Sequence, residues 1–195
     1  MSAIRTFIAI QLPTSIHDQL SVVLDQINQP PVPGVRWVPP HNIHLTLRFL
    51  GDVSPTSLKS LAGAIHGEAS RHKPFEITVE GLGAFPSKQR PRVIWVGITA
   101  PGALARLQHG IENEANHLGY PPEERPFSAH LTVGRVSSHA APAEIQQVSQ
   151  RLEQINPGKL GSFTVDSVKI FKSDLNPSGS IYTVLYSLPL SEEKK

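Results

Sequence analysis

The chain has 195 residues, 39% hydrophobic and 17% charged, which reads as globular and soluble and long enough to bury a real core. Eighteen basic against 16 acidic residues leave a net charge of +2, too little to hold long nucleic acid by charge alone, yet compatible with a few placed arginines gripping one or two phosphates. The absence of cysteine removes thiol nucleophiles, disulfides and cysteine-ligated zinc together.

The first element is an apolar strand at residues 7–12, ending at Pro13, a residue suited to a helix start. Its apolar run is too short for a signal sequence, and no stretch approaches ~18 apolar residues, so the expectation is a cytoplasmic protein with no membrane segment. A helix is expected over residues 14–27, where Ile16, Leu20, Val23 and Leu24 recur at helical spacing. A proline-bearing loop leads to the strand His44-Leu45-Thr46-Leu47, and Pro55 opens a second helix at about 56–70. Thr78-Val79-Glu80 and Phe85 follow in a strand.

The chain then starts again. Trp95–Pro101 resembles Phe7–Pro13 at an offset of 88, and a helix over 102–118 follows. His130-Leu131-Thr132-Val133 repeats the histidine phrase 86 residues on. Pro142 opens a helix at about 143–155, Thr164-Val165-Asp166 matches 78–80, Phe171 matches Phe85, and Ile181 matches Ile94 in a closing strand. Residues 191–195 read as a polar, frayed end. Elements kept in step at nearly one spacing imply an internal repeat, about 5–90 and 93–190, within a single bilobal domain spanning 1–195. The fold expected is α+β: two pseudo-twofold-related lobes, each an antiparallel or mixed β-sheet with helices on its outer face, and a cleft between them. The last strand of the first copy would double as the first of the second.

Side chains alternate along a strand, so His44 shares a face with Thr46, and His130 with Thr132. Two histidines, each beside a hydroxyl, suit metal-free chemistry at phosphorus: one imidazole takes a proton while the other gives one. The hydroxyls of Thr46 and Thr132 can donate to nonbridging phosphate oxygens, although strand propensity also accounts for a threonine. Arg48, four residues after His44, lies on the same face of an unbroken strand and can reach a phosphate or a base. Arg135, five residues after His130, needs a bulge or a strand end to reach substrate; its alternative is a salt bridge. Arg125 and Ser128, just before the second phrase, are further candidates for phosphate contact. Phe7 and Trp37 either stack a base or belong to the core. His41 and His44, three apart on a strand, face opposite ways and make a poor metal pair, and neither a metal nor another cofactor is expected. Gly81-Leu82-Gly83 lacks the context of a dinucleotide fingerprint and reads as a strand with bends.

Arg5–Ile10, Arg36-Trp37-Val38, Asn42–Gly51 and Phe127–Arg135 together resemble the 2H phosphoesterase superfamily, defined by two His-x-Thr-x motifs. Within it the chain looks like the bacterial and archaeal RNA 2′,3′-cyclic phosphodiesterases, also called 2′-5′ RNA ligases. Ala129 stands where that family usually has proline. The resemblance implies His44 as proton donor and His130 as proton acceptor. The implied reaction is hydrolysis of RNA 3′ ends, or small nucleotides, bearing a 2′,3′-cyclic phosphate, leaving a 2′-phosphomonoester; no obligate protein partner is implied. Two other readings remain. One is ATP-independent 2′-5′ ligation of a cyclic phosphate to a 5′-hydroxyl; no nucleotide-binding lysine motif or glycine loop calls for ATP. The other is a non-catalytic module that binds RNA ends, whose usual mark, basic residues interleaved with exposed aromatics, is missing.

Overall fold

The structure is a computed structural model that describes residues 2–176 and 179–191; the polar end from residue 192 lies outside the described residues. In chain order it contains β1 (Ile4–Gln11), α1 (Thr14–Asn28), β2 (Val35–Trp37), a 3₁₀ turn (Pro40–Asn42), β3 (His44–Val53), α2 (Leu58–Ala69), β4 (Phe75–Phe85), β5 (Val93–Thr99), α3 (Gly102–His117), β6 (His130–Val136), α4 (Pro142–Gln154), β7 (Lys159–Val165), β8 (Ser167–Asn176) and β9 (Gly179–Pro189).

Each expected helix forms. In α1, Ile16, Leu20, Val23 and Ile27 fall on one buried stripe, because residues four and seven apart share a helix face. The helix begins directly after Pro13. In α4, Pro142 occupies the first turn and the Glu144 side chain accepts the Ala141 amide at 2.8 Å, satisfying one of the open donors at that end. Only α2 starts later than expected, at Leu58, since Pro55–Ser57 form a turn instead.

The strands form one nine-stranded sheet in the order β7-β4-β5-β6-β3-β1-β8-β9, with β2 added beside β6. Among the described residues, β3 and β6 meet at a single bridge, Leu45 with Leu131. This seam separates two four-stranded halves, β3-β1-β8-β9 and β6-β5-β4-β7, and both are antiparallel. Fully buried Ile8, Leu20, Leu61, Ile65, Ile94, Leu107, Ile111 and Leu152 join all four helices to one face of this sheet in one apolar core. Burying such a side chain contributes about 1.5–3 kcal/mol.

Spatial halves and sequence copies do not coincide. Strand β4 of the first copy pairs with β5 in the second half, while β8 of the second copy pairs with β1 in the first. No strand serves both copies; β4 and β5 are separate. The matches of β1 with β5, β3 with β6 and Phe85 with Phe171 relate equivalent positions across the seam. Two others do not. Thr78 and Thr164 lie on β4 and β7, neighbours in the same half, and Ile94 is buried whereas Ile181 is 56% exposed. Side-chain alternation makes those stretches look alike, but long-range pairing decides which strands are equivalent.

Candidate active site

The seam places the four motif side chains together. With Leu45 opposite Leu131, antiparallel register sets His44 across from Thr132 and Thr46 across from His130. The histidines are therefore diagonal neighbours, a relation that spaces Cβ atoms by about 7–8 Å in ordinary ladders. Leu45, Leu47, Leu131 and Val133 are buried in the core, which turns the histidines and threonines to the other face.

Each imidazole is anchored in the same way. His44 Nδ1 lies 2.8 Å from the Asn42 carbonyl oxygen, and His130 Nδ1 lies 2.7 Å from that of Ser128. A carbonyl only accepts, so both Nδ1 atoms carry the hydrogen and both Nε2 atoms are left for the cleft. Fixing the tautomer through the other ring nitrogen is what proton transfer at a set position requires.

The surroundings of the two rings differ. His44 stacks on Phe7 at 4.6 Å between centroids, takes the edge of Tyr182 at 5.1 Å, and has Phe171 at 6.2 Å. Phe7, Ala9 and Phe171 make a small buried cluster beneath it. His130 meets Phe85 edge-on at 5.0 Å, and Phe85 in turn meets Trp95. Burial pushes the His44 imidazole below the ordinary histidine range, against a smaller opposite pull from the Asn42 carbonyl. His17, half-buried on α1, is lowered in the same sense, by burial first and then by His41. Groups whose folded values lie below the unfolded one favour the fold above the unfolded value, about 6.5, and lose that contribution as pH falls through the folded value. Unfolding free energy should therefore drop on going from pH 7.5 to 5. A His17→Gln/His44→Gln variant should show a shallower decline in denaturant titrations; equal slopes would contradict this.

Comparison with known proteins identifies the family. The sequence model of the LigT like Phosphoesterase family matches twice, over residues 10–95 and 96–182. The chain belongs to the LigT-like phosphoesterase family. Among similar proteins, the RNA 2′,3′-cyclic phosphodiesterase of Methanothermobacter thermautotrophicus is 32% identical over 92% of this chain and 95% of its own length. That of Thermotoga maritima is 35% identical over 93% of each. The crystal structure of E. coli LigT complexed with 3′-AMP superposes with a TM-score of 0.75 at 28% identity, covering 97% of this chain and 99% of that one.

In this LigT-like protein the arginine expected beside the first motif is not at the cleft. Ile8 pairs with Arg48 and Ala9 with Thr46, so Leu47 is an extra residue in β3. Such a bulge reverses the alternation beyond it. Leu47 and Arg48 are both buried on the core side, and Phe49, 55% exposed, takes the cleft face. Arg48 Nε lies 3.0 Å from Glu112 and Nη1 3.0 Å from Glu123, while Nη2 donates to the Pro121 carbonyl. The guanidinium ties α3 and the loop before β6 to β3.

The second copy carries the same bulge. Trp95 pairs with Thr132 and Ile94 with Gly134, leaving Val133 as the extra residue. Arg135 therefore shares the face of His130, with its side chain exposed. Arg125 is exposed and lines a hollow of about 570 Å³ with Arg48, Phe49, Leu50, Gly51 and Tyr120–Glu124. Ser128 contributes its carbonyl, which orients His130. Trp37 packs against the core and donates its indole N–H to Asn28 at 2.9 Å, and Phe7 is buried under His44. Gly81 sits at a bulge in β4 with φ +76°, in keeping with a bent strand. Tyr182, Phe171 and Phe49 escaped sequence reasoning as site residues. Phe171 had a signal, its match to Phe85; Phe49 becomes visible only with the bulge. Among the described residues no group of three or more His, Asp or Glu side chains could hold a metal ion, and no helix is long and apolar enough to cross a membrane.

Proposed function

We propose that this protein hydrolyses 2′,3′-cyclic phosphate ends of RNA to 2′-phosphomonoesters, with His44 as proton donor and His130 as proton acceptor. The observation that carries the reading is the matched anchoring of both imidazoles, which leaves two Nε2 atoms beside two hydroxyls on one face. Relatives named RNA 2′,3′-cyclic phosphodiesterase and a neighbour complexed with 3′-AMP support the substrate class.

In the proposed step, His130 Nε2 takes a proton from water as its oxygen attacks phosphorus. The bond from phosphorus to the 3′ oxygen breaks, and His44 Nε2–H protonates that oxygen. The 2′ ester bond stays intact. Exchange of one proton with solvent resets the pair. Thr46 and Thr132 donate to the nonbridging oxygens as negative charge builds on them. His44 must enter the step protonated, against the effect of its burial; the anionic phosphate beside it raises its affinity for a proton. Bound substrate thus helps to charge its own acid.

A short RNA ending in a 2′,3′-cyclic phosphate tests this directly. The expected product carries a 2′-phosphate, and turnover persists in excess EDTA. A 3′-phosphate product, binding without turnover, or EDTA-sensitive activity restored by a divalent ion would each overturn the scheme.

A further inference from the structure

In-line displacement puts the attacking water and the departing 3′ oxygen on opposite sides of phosphorus. With His130 as acceptor the water stands on its side, and with His44 as donor the 3′ oxygen stands on the other. The ribose, and the strand that ends in it, therefore lies over the half built from β3, β1, β8 and β9. On that half the cleft face is aromatic where Phe7 meets Phe171 and Phe49. Towards the start of β3 it carries a charge instead. Ala9 stands between Thr46 on β3 and Lys169 on β8. Lys169 is two residues from Phe171, and Ile170 between them is buried in the core, so alternation puts the lysine on the cleft face.

The other cations of these four strands are engaged. Arg48 is held by Glu112 and Glu123, Lys172 by Asp174 at 3.0 Å, and Arg5 stands across its ladder from Asp52. Lys169 makes no ion pair with any described residue; its ammonium donates to the side-chain oxygen of Gln11. Gln11 lies directly opposite His44 in the ladder. With its oxygen occupied, the Gln11 amide keeps its N–H donors, so ammonium and amide together present donors only. Both residues border a hollow of about 230 Å³. Asp166 borders it too, but its carboxylate is engaged by the Ser167 hydroxyl at 2.8 Å.

We propose that Lys169, with Gln11, holds the backbone phosphate on the 5′ side of the terminal nucleoside, and so sets a preference for RNA ends over cyclic mononucleotides. The proposal rests on the reading of the reaction given above. Adjacent strands lie about 4.8 Å apart, which puts Lys169 about 10 Å from Thr46 between Cα atoms. The lysine side chain and one nucleotide close that gap between them. Lys169 thus stands clear of the reacting phosphate, two strands away, yet within reach of the next one. An ammonium is a compact, rotatable donor that takes a phosphate without demanding one fixed geometry. A cyclic mononucleotide has a single phosphate, which the histidines occupy, so only a longer chain has another to offer Lys169.

The test compares kcat/KM for adenosine 2′,3′-cyclic phosphate, for the dinucleotide ApA with the same cyclic end, and for that dinucleotide with a neutral methylphosphonate at its linkage. Wild type should favour the natural dinucleotide over the mononucleotide by about tenfold, the scale of a hydrogen bond to a charged group. The methylphosphonate should lose that advantage. Lys169→Ala should bring the two dinucleotides level, Lys169→Arg should restore part of the difference, and Lys169→Glu should reverse it. The log–log salt slope for the natural dinucleotide should fall by about 0.7 in Lys169→Ala, because one phosphate is no longer neutralised by the protein. Equal use of mononucleotide and dinucleotide by wild type overturns the proposal while leaving the hydrolysis itself standing. So does a methylphosphonate as good as the natural linkage, or an unchanged difference in Lys169→Ala. If wild type turns over none of the three, the proposed reaction fails, and equilibrium binding then decides the lysine. Adenosine 2′,5′-bisphosphate should bind wild type about tenfold tighter than adenosine 2′-phosphate, and Lys169→Ala should bind both alike. Equal binding of the two ligands by wild type would reject the proposal.

Discussion

Replacing either His44 or His130 with alanine is expected to lower turnover of a cyclic-ended RNA by about 10²–10⁴-fold, the usual worth of a positioned proton-transfer group. Removing both should cost little more than the worse single change, because the two groups serve one transition state. Thr46→Ala or Thr132→Ala should cost less, since each removes one of several hydrogen bonds to developing charge, about 1.5–3 kcal/mol. The rate should follow a bell in pH, falling on the acid side as His130 gains a proton and on the alkaline side as His44 loses one. Since burial lowers His44 in the free protein, the alkaline limb of kcat/KM should begin below the ordinary histidine value. The same limb of kcat, measured with phosphate bound, should lie higher. Near-full turnover by either folded alanine variant would end the two-histidine account.

Arg48→Ala is expected to act on stability rather than on chemistry. The guanidinium is 3% exposed and faces Glu112, itself 15% exposed, as well as the more open Glu123. Removing the cation strands a buried carboxylate, a change that costs about 3–5 kcal/mol, because Glu112 keeps its desolvation without its partner. Urea unfolding should show a loss of that size. Adding Glu112→Gln should recover part of it. Arg48→Ala with wild-type stability but crippled turnover would return the guanidinium to the substrate.

The contrast between these residues shows what local sequence can and cannot say. Histidine and threonine two apart in an apolar strand fix their shared face by alternation alone, so His44, Thr46, His130 and Thr132 were legible at once. The helices were legible too, since buried positions such as Ile16, Leu20 and Ile27 recur with the helix period. Four residues past His44, the same alternation gives the wrong face for Arg48, because one extra residue at Leu47 leaves no mark in composition or spacing. Arg135 reaches the cleft face through the equivalent irregularity at Val133. The exchange of β4 and β8 was hidden for a different reason. Which strand a strand joins depends on partners far away in the chain, and each strand's own pattern is the same whichever neighbour it takes.

That exchange also sets the order in which the molecule can be completed during synthesis. Phe7, on the first strand, pairs with Phe171, and the aromatic packing around His44 closes only with Tyr182. Contacts this distant in sequence form late, after a large loop has been closed. The growing chain therefore carries both histidine phrases past the ribosome exit while β1 still lacks its outer neighbour and the His44 ring its enclosing wall. An open β1 edge is a hazard for association between nascent chains. Under the proposed scheme, a chain stopped short of the last hairpin holds both motif histidines and both threonines while the His44 ring still lacks its Tyr182 wall.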